Sequence, residues 1–141
     1  MQVVRLQDGL PGDFERLRAA AAAEGWRHMD RLSAEVAAGA PVFLALFAVR
    51  EGGGLAGIGG LTQDPSPDDG GPALRLRRVY VHPDARRRGV GRTLASALIQ
   101  EGLDSVRRLT VHTDDAHAEA FWRAQGFALV SGKAWNLEFR G

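Results

Sequence analysis

Leu76-Arg77-Arg78-Val79-Tyr80-Val81-His82-Pro83-Asp84-Ala85-Arg86-Arg87-Arg88-Gly89-Val90-Gly91-Arg92 is the stretch on which the fold turns. Its first half is β-prone, and its middle holds a proline turn and three consecutive arginines. Its end opens a helix that Val90, Leu94, Ala97 and Leu98 carry on one face to Leu103. A helix N-terminus leaves amide N–H groups without carbonyl partners, and the aligned peptide dipoles favour an anion there. Glycines at 89 and 91 let a phosphate approach the backbone closely, and the arginines add charge. Strand, glycine turn and helix in this order predict an anion site of the kind that holds a pyrophosphate.

Inside the strand the apolar phase changes. Leu74 and Leu76 share one parity, whereas Val79 and Val81 share the other. One explanation is a β-bulge near Arg77-Arg78, which would splay this strand from a neighbour and open a slot for an extended ligand. The other is a strand buried on both faces, in which parity carries little meaning.

Outward from this stretch the pattern alternates strands and helices. Gln2 to Leu6 is β-prone. A helix is expected from Phe14 to Ala23, with Pro11 or Asp13 near its start, and another from about His28 to Ala38, stopped by Gly39 and Pro41. Val42–Arg50 and Leu55–Leu61 read as a hairpin around Glu51-Gly52-Gly53-Gly54. Gln63 to Pro72 is a loop by composition, and Ala73 to Val81 a strand. Arg108 to Thr113 alternates as a strand. Asp115 then caps a helix to about Gln125 that Gly126 ends, and Phe127–Val130 and Trp135–Phe139 read as closing strands. This order predicts an α/β chain, a mixed sheet of about seven strands covered by four helices. There is no internal repeat or linker, so residues 1–141 are expected to form one domain.

Composition narrows the chemistry. A formal net charge of +1 gives no overall argument for nucleic acid or membrane, and Lys133 is the only lysine. With no cysteine, disulfides, a thiol nucleophile and thiolate metal sites are excluded, and no metal site is expected. The N-terminal residues lack the apolar core of a signal peptide, and no apolar run approaches the ~20 residues that span a bilayer. The expectation is a cytoplasmic protein.

A second block, Asp115-Ala116-His117-Ala118-Glu119-Ala120-Phe121-Trp122-Arg123-Ala124-Gln125-Gly126-Phe127, follows the first at a fixed interval. Together the two blocks resemble the GNAT acetyltransferase superfamily. Its signature (Gln/Arg)-x-x-Gly-x-(Gly/Ala) is met by Arg86-Arg87-Arg88-Gly89-Val90-Gly91, after the strand ending Val79-Tyr80-Val81-His82-Pro83. Its Asn-x-x-Ala-x-x-Phe-Tyr-x-x-x-Gly-Phe block resembles residues 115–127. Read alone, Arg86 to Arg88 would be a solvated basic turn; the glycines, the helix and the second block reverse that reading.

The resemblance implies the family's V-shaped, mostly antiparallel sheet and acetyl-CoA as cosubstrate. It implies that Arg86, Arg87, Arg88, Gly89, Val90, Gly91 and Arg92 hold the pyrophosphate. The main chain of Val79 and Val81 would pair with pantetheine, and Asp115 and Trp122 would lie along that arm or near the thioester. The Val79 amide would polarise the carbonyl. The acceptor would be an amine, and a homodimer paired through the final strands is left open.

Two departures bear on catalysis. Trp122 stands where the family often has a Tyr that protonates the departing thiolate, and indole is not a general acid. Arg75 stands near where many relatives carry a Glu base. Candidates for the base are Glu24, His28, His112, Asp64, Asp68 and Asp69. Trp26 and His28 lie in the segment that borders the acceptor in relatives, although ordinary interhelical packing is the favoured reading of them. Asp115 in place of Asn reads as a stronger helix cap. Acids at 64, 68 and 69 fit attraction of a cationic amine and fit equally an Asp-Pro-rich loop that is only a flexible turn. The functional expectation is N-acetyl transfer to an amine. An acyl-CoA sensing module is the alternative, and nucleic-acid binding is disfavoured because no aromatics interleave the arginines.

Overall fold

A computed structural model describes residues 1–65 and 71–141. Seven strands form one sheet: β1 (Gln2–Arg5), β2 (Ala45–Glu51), β3 (Gly54–Gln63), β4 (Ala73–Val81), β5 (Arg108–Val111), β6 (Ala128–Leu129) and β7 (Leu137–Arg140). Their order across the sheet is β1-β2-β3-β4-β5-β7-β6. Every neighbouring pair is antiparallel except β4 and β5, which run parallel. Four helices cover the sheet: α1 (Phe14–Ala23), α2 (His28–Ala38), α3 (Val90–Leu103) and α4 (Ala116–Ala124).

Two apolar cores lie on opposite faces. Phe14, Leu17, Met29 and Leu32 of α1 and α2 pack with Leu55, Ile58 and Tyr80 on one face. Val90, Leu94 and Leu98 of α3 and Trp122 of α4 pack with Leu61, Leu74, Leu76, Leu109 and Leu137 on the other.

The bulge is present. Ile58 pairs with Tyr80 and Gly60 with Arg77, so Arg78 and Val79 together face Gly59. Arg78 takes the left-handed conformation, φ 58°, which costs a residue with a Cβ about 1–2 kcal/mol. The inserted residue restores the phase. Leu74, Leu76, Val79 and Val81 all meet the α3 core, and Tyr80 turns to α1 and α2. Gly59 makes room for it, because a Cβ there would lie 2.9 Å from Val79 Cγ2.

Two strands are shorter than their apolar runs. Val42 and Leu44 are exposed, and β2 proper begins at Ala45, just after the Leu44 amide donates to the Leu61 carbonyl at 2.8 Å. β5 stops at Val111 because the Asn136 side chain takes over at Thr113, accepting from its N–H at 3.1 Å and donating to its carbonyl.

Candidate active site

The parallel pair at the centre of the sheet is joined at one end only. Ala73, Leu74 and Arg75 pair with Arg108, Leu109 and Thr110, and the register stops there although β4 continues to Val81. Arg75 fastens this end. Its guanidinium donates to Asp64 at 3.3 Å and to Thr110 Oγ1 at 3.3 Å, and the Thr110 hydroxyl also donates to Asp64. Beyond it, Leu76 to Val81 have β3 on one side and no ladder to β5 on the other. The sheet is therefore split from Leu76, just before the bulge, to the end of β4, which is the slot the parity change suggests.

The split leads to the arginine-glycine turn. A 3-10 turn at Pro83–Ala85 carries the chain from β4, and Arg87 (φ 65°) and Gly89 (φ 82°) both take left-handed conformations before α3 begins. Gly89 is the N-cap of α3, and no side chain caps it. The first-turn amides thus point outward unclaimed by helix or cap, in the concave arrangement that binds anions. Val90 is buried, so only its backbone faces outward. Gly91 is required by close packing: a Cβ there would lie 3.2 Å from Phe121 Cε1. Among the described residues neither Arg87 nor Arg92 has an ion-pair partner, whereas Arg88 is held by Glu51 at 2.7 Å.

Arg86 has a different engagement. Both of its terminal nitrogens donate to Glu24 at 2.7 Å, and Nε donates to the Val81 carbonyl at 3.2 Å. The Tyr80 hydroxyl donates to the same Glu24 carboxylate, and Arg86 stacks over the Tyr80 ring at 5.6 Å. Arg86 holds Glu24 below the usual carboxylate range, and the Tyr80 hydroxyl adds to this. Burial, and then the hydrogen bond to Glu24, push the Tyr80 phenol well above its usual value. Glu24 is therefore a fixed anion facing a cation rather than a free base, and the chain's one tyrosine is committed to it.

His28 begins α2 beside the bulge. Its ring makes an edge contact with Tyr80 at 5.2 Å and lies against the Val79 backbone. Burial, assisted by Arg78 and Arg31, lowers its pKa, so the imidazole is neutral at pH 7. Nδ1 is buried and has no hydrogen-bond partner among the described residues. Of the candidate bases, His28 alone combines a neutral proton acceptor with a position at the split.

The remaining candidates fall elsewhere. The Asp64 side chain is 3% exposed and bound to Arg75, so it offers no free charge to a cationic amine. His112 lies in solvent 3.5 Å from Asp114. Asp68 and Asp69 lie outside the described residues. Asp115 caps α4, accepting from the Ala118 amide at 2.9 Å, next to a polar recess lined by Thr113, Asp114, Asp115, Ala116, Glu119 and Asn136. Trp122 is in the core between Phe121 and Phe127, with ring centroids 5.0 and 5.3 Å away, so it backs the slot rather than projecting into it. Its neighbour Phe121 is the more exposed of the two and packs at Gly91.

The pairings of Glu24 with Arg86 and of Glu35 with Arg78 are absent from the sequence reading, because no local pattern announces contacts between residues 62 and 43 positions apart. Among the described residues no group of side chains could hold a metal ion, and no helix is long and apolar enough to cross a membrane.

A split parallel pair feeding a glycine turn at a helix N-terminus agrees with the comparisons to known proteins. Residues 12–127 match the Acetyltransferase (GNAT) family, and the chain belongs to that family. Mycothiol acetyltransferase from Thermomonospora curvata is 42% identical over 80 residues, 57% of this chain and 25% of that protein. The chain thus matches about a quarter of that relative's length. Solved structures share the fold. A protein from Exiguobacterium sp. 255-15, inferred to be an acetyltransferase, superposes with a TM-score of 0.83 at 23% identity, over 99% of this chain and 94% of that one. A GNAT family acetyltransferase from Brucella melitensis in complex with acetyl-CoA gives 0.66 at 20% identity, over 99% and 88%.

Proposed function

We propose that this chain is an N-acetyltransferase that uses acetyl-CoA and acetylates an amine by direct attack on the thioester. The observation that carries this reading is the β4–β5 pairing that stops at Arg75, leaving an open strand edge that runs to uncapped helix amides. The fit to acetyl-CoA rests on those amides, on the unpaired Arg87 and Arg92, and on the recess at Asp115. The backbone from Arg87 to Arg92, with the Arg87 and Arg92 side chains, would hold the pyrophosphate, and the Arg88 side chain would join them by leaving Glu51. Val79 and Val81 would offer main-chain groups to the pantetheine amides. When bound, acetyl-CoA supplies a thioester whose carbonyl carbon forms a C–N bond to the amine as the C–S bond breaks.

The chain's own groups have three tasks. The Val79 N–H, fixed by the bulge, donates to the carbonyl oxygen as negative charge develops there. Neutral His28 accepts the proton that the amine nitrogen gives up, directly or through one water, because that nitrogen becomes acidic on forming the new bond. Buried Trp122 helps to keep the slot dry and gives no proton. None is needed, since a thiol of pKa ~8.5 leaves as thiolate at neutral pH at a cost of about 2 kcal/mol.

The test is thermal titration with acetyl-CoA, CoA and ATP. Ligand at 100 times its dissociation constant adds about 2.7 kcal/mol, several degrees for a domain of this size. A shift with acetyl-CoA and CoA but not ATP supports the reading, and no shift with any of them refutes it. Binding without thiol release across an amine panel identifies a sensing module instead, the reading that Trp122 and Arg75 favour.

A further inference from the structure

The slot passes between the two faces of the sheet. On the acetyl-transfer reading, a cosubstrate anchored at the N-terminus of α3 would lie on the face covered by α3 and α4. The opposite mouth, under α2, is left to the second substrate. There the inner side of α2 carries His28 and Glu35, and β4 presents Arg77 and Arg78 to them.

The charges at this mouth do not balance. Glu35 is one carboxylate shared by two guanidinium groups. Arg78 takes both oxygens, at 2.8 and 2.9 Å, which holds the bulge against α2. Arg77 is left with a single contact to Glu35 at 3.3 Å and no other hydrogen bond among the described residues. Its side chain is 22% exposed, so it is substantially dehydrated yet reachable from solvent. Arg31 lies close enough to act on the charge of both Glu35 and His28, and among the described residues it has no counter-ion. Arg31, Arg77 and Arg78 thus share Glu35 as their anion around the residues proposed to do the chemistry, since Glu24, which also acts on His28, is already paired with Arg86. Burial first, and then Arg78, hold the Arg77 guanidinium below its usual pKa, as expected of a cation short of negative charge. The acid that would have drawn a cationic acceptor, Asp64, is closed off by Arg75 on the fastened side of the split.

We infer that the acceptor is an amine that also carries a carboxylate, with Arg77 as the specificity-determining residue that receives the carboxylate and Arg31 assisting from α2. This rests on the acetyl-transfer reading above. Arg77 lies two residues before Val79 across the bulge, so their separation is under the ~7 Å that two residues of extended strand would span. A guanidinium there, on a flexible side chain, can hold a carboxylate while the neighbouring amine reaches the carbonyl beside Val79. A planar fork of donors pairs with a carboxylate through two parallel hydrogen bonds, which a carboxamide cannot reproduce.

The experiment compares matched amines: glycine, alanine, leucine, phenylalanine and glutamate, each against its α-carboxamide, with rates referred to the free-base concentration. Thiol release from acetyl-CoA is one readout, and calorimetric binding to the CoA-loaded protein is the other. The free acids should be preferred by about tenfold or more in kcat/KM. Arg77→Gln should bring that ratio close to one, while Arg77→Lys retains part of it. Arg31→Gln, at an exposed position, should reduce the ratio by a smaller factor and carries the test if Arg77→Gln does not fold. Equal use of the two series, preference for the carboxamides, or an unchanged ratio in both glutamine variants would overturn the inference. Loss of acetyl-CoA binding itself would sink the acetyl-transfer reading and the inference with it. Acetyl-CoA binding without discrimination between acids and amides sinks the inference alone.

Discussion

Replacing Glu24 with Gln separates two roles that a carboxylate beside a reaction site can have. In the structure Glu24 accepts two hydrogen bonds from Arg86 and one from Tyr80. Gln keeps the shape but turns an NH2 group toward a guanidinium that can only donate. The pair is partly solvated, with 43% of the Arg86 side chain and 29% of Glu24 exposed, so its contribution is discounted to about 1 kcal/mol, the upper end for exposed pairs. That predicts a melting point lower by about 3–4 °C. Arg86 opens the arginine-glycine turn proposed to hold the pyrophosphate and also fixes the Val81 carbonyl. One kcal/mol is about a factor of five in an equilibrium, so KM for acetyl-CoA should rise about fivefold with kcat little changed at saturation. The pH dependence has a definite sign. Arg86 lowers the folded pKa of Glu24. The stabilisation is therefore complete above the unfolded value of about 4.3 and is lost as pH falls through the lower folded value. The difference between wild type and Glu24→Gln should be constant from pH 6 to 9 and close below about pH 4. Scanning calorimetry and steady-state thiol release measure both. A hundredfold loss of kcat at saturating acetyl-CoA, with melting point and KM unchanged, would refute this reasoning and make Glu24 the base.

Three further changes probe other parts of the site. Asp115→Ala removes the 2.9 Å bond to the Ala118 amide and should cost about 1 kcal/mol, seen as a lower urea midpoint at unchanged slope. Gly91→Val forces a side chain to within 3.2 Å of Phe121. It should cost about 1–3 kcal/mol of stability and abolish the thermal shift with acetyl-CoA by displacing the α3 amides. Glu35→Ala leaves Arg77 and Arg78 facing each other without their shared anion and should cost about 2–3 kcal/mol by denaturant unfolding. Because Arg78 lowers the pKa of Glu35, that gap too should close as pH falls below about 4.

Much of the fold was legible because it is written in local order. The two-residue alternation breaks between Leu76 and Val79, and only an inserted residue lets both sides reach one core; the register of β3 against β4 contains that residue. Helix starts at Phe14 and His28 follow from apolar spacing and punctuation, while Gly89, read as the first residue of the third helix, is its N-cap. What alternation could not give was the partner of each charge. Arg86 reads naturally as a phosphate ligand until α1 brings Glu24 against it, and Asp64 reads as a free acid until Arg75 covers it. Trp122, one position off the Phe121 stripe, was expected to face the slot. It is the core member instead, since α4 turns its Trp122 edge to Phe127 and leaves Phe121 against α3. Such contacts depend on how helices settle on the sheet, and an ionic side chain of six or seven bonds can reach several neighbours from one backbone position.

The three residue pairs that join β4 to β5 also divide the molecule energetically. β1 to β4 form a continuous antiparallel ladder with α1 and α2, and β5, β7 and β6 form another with α4. The sheet is continuous across them only at Ala73 to Arg75, with α3 bracing both sides. Cooperativity between the two halves then rests on a short seam and one helix. A ligand with amides of its own, lying along β4 and bound at the head of α3, would supply the missing rungs. Filling the slot is therefore expected to tie the two halves together, measured as hydrogen-exchange protection that rises on both sides of the seam.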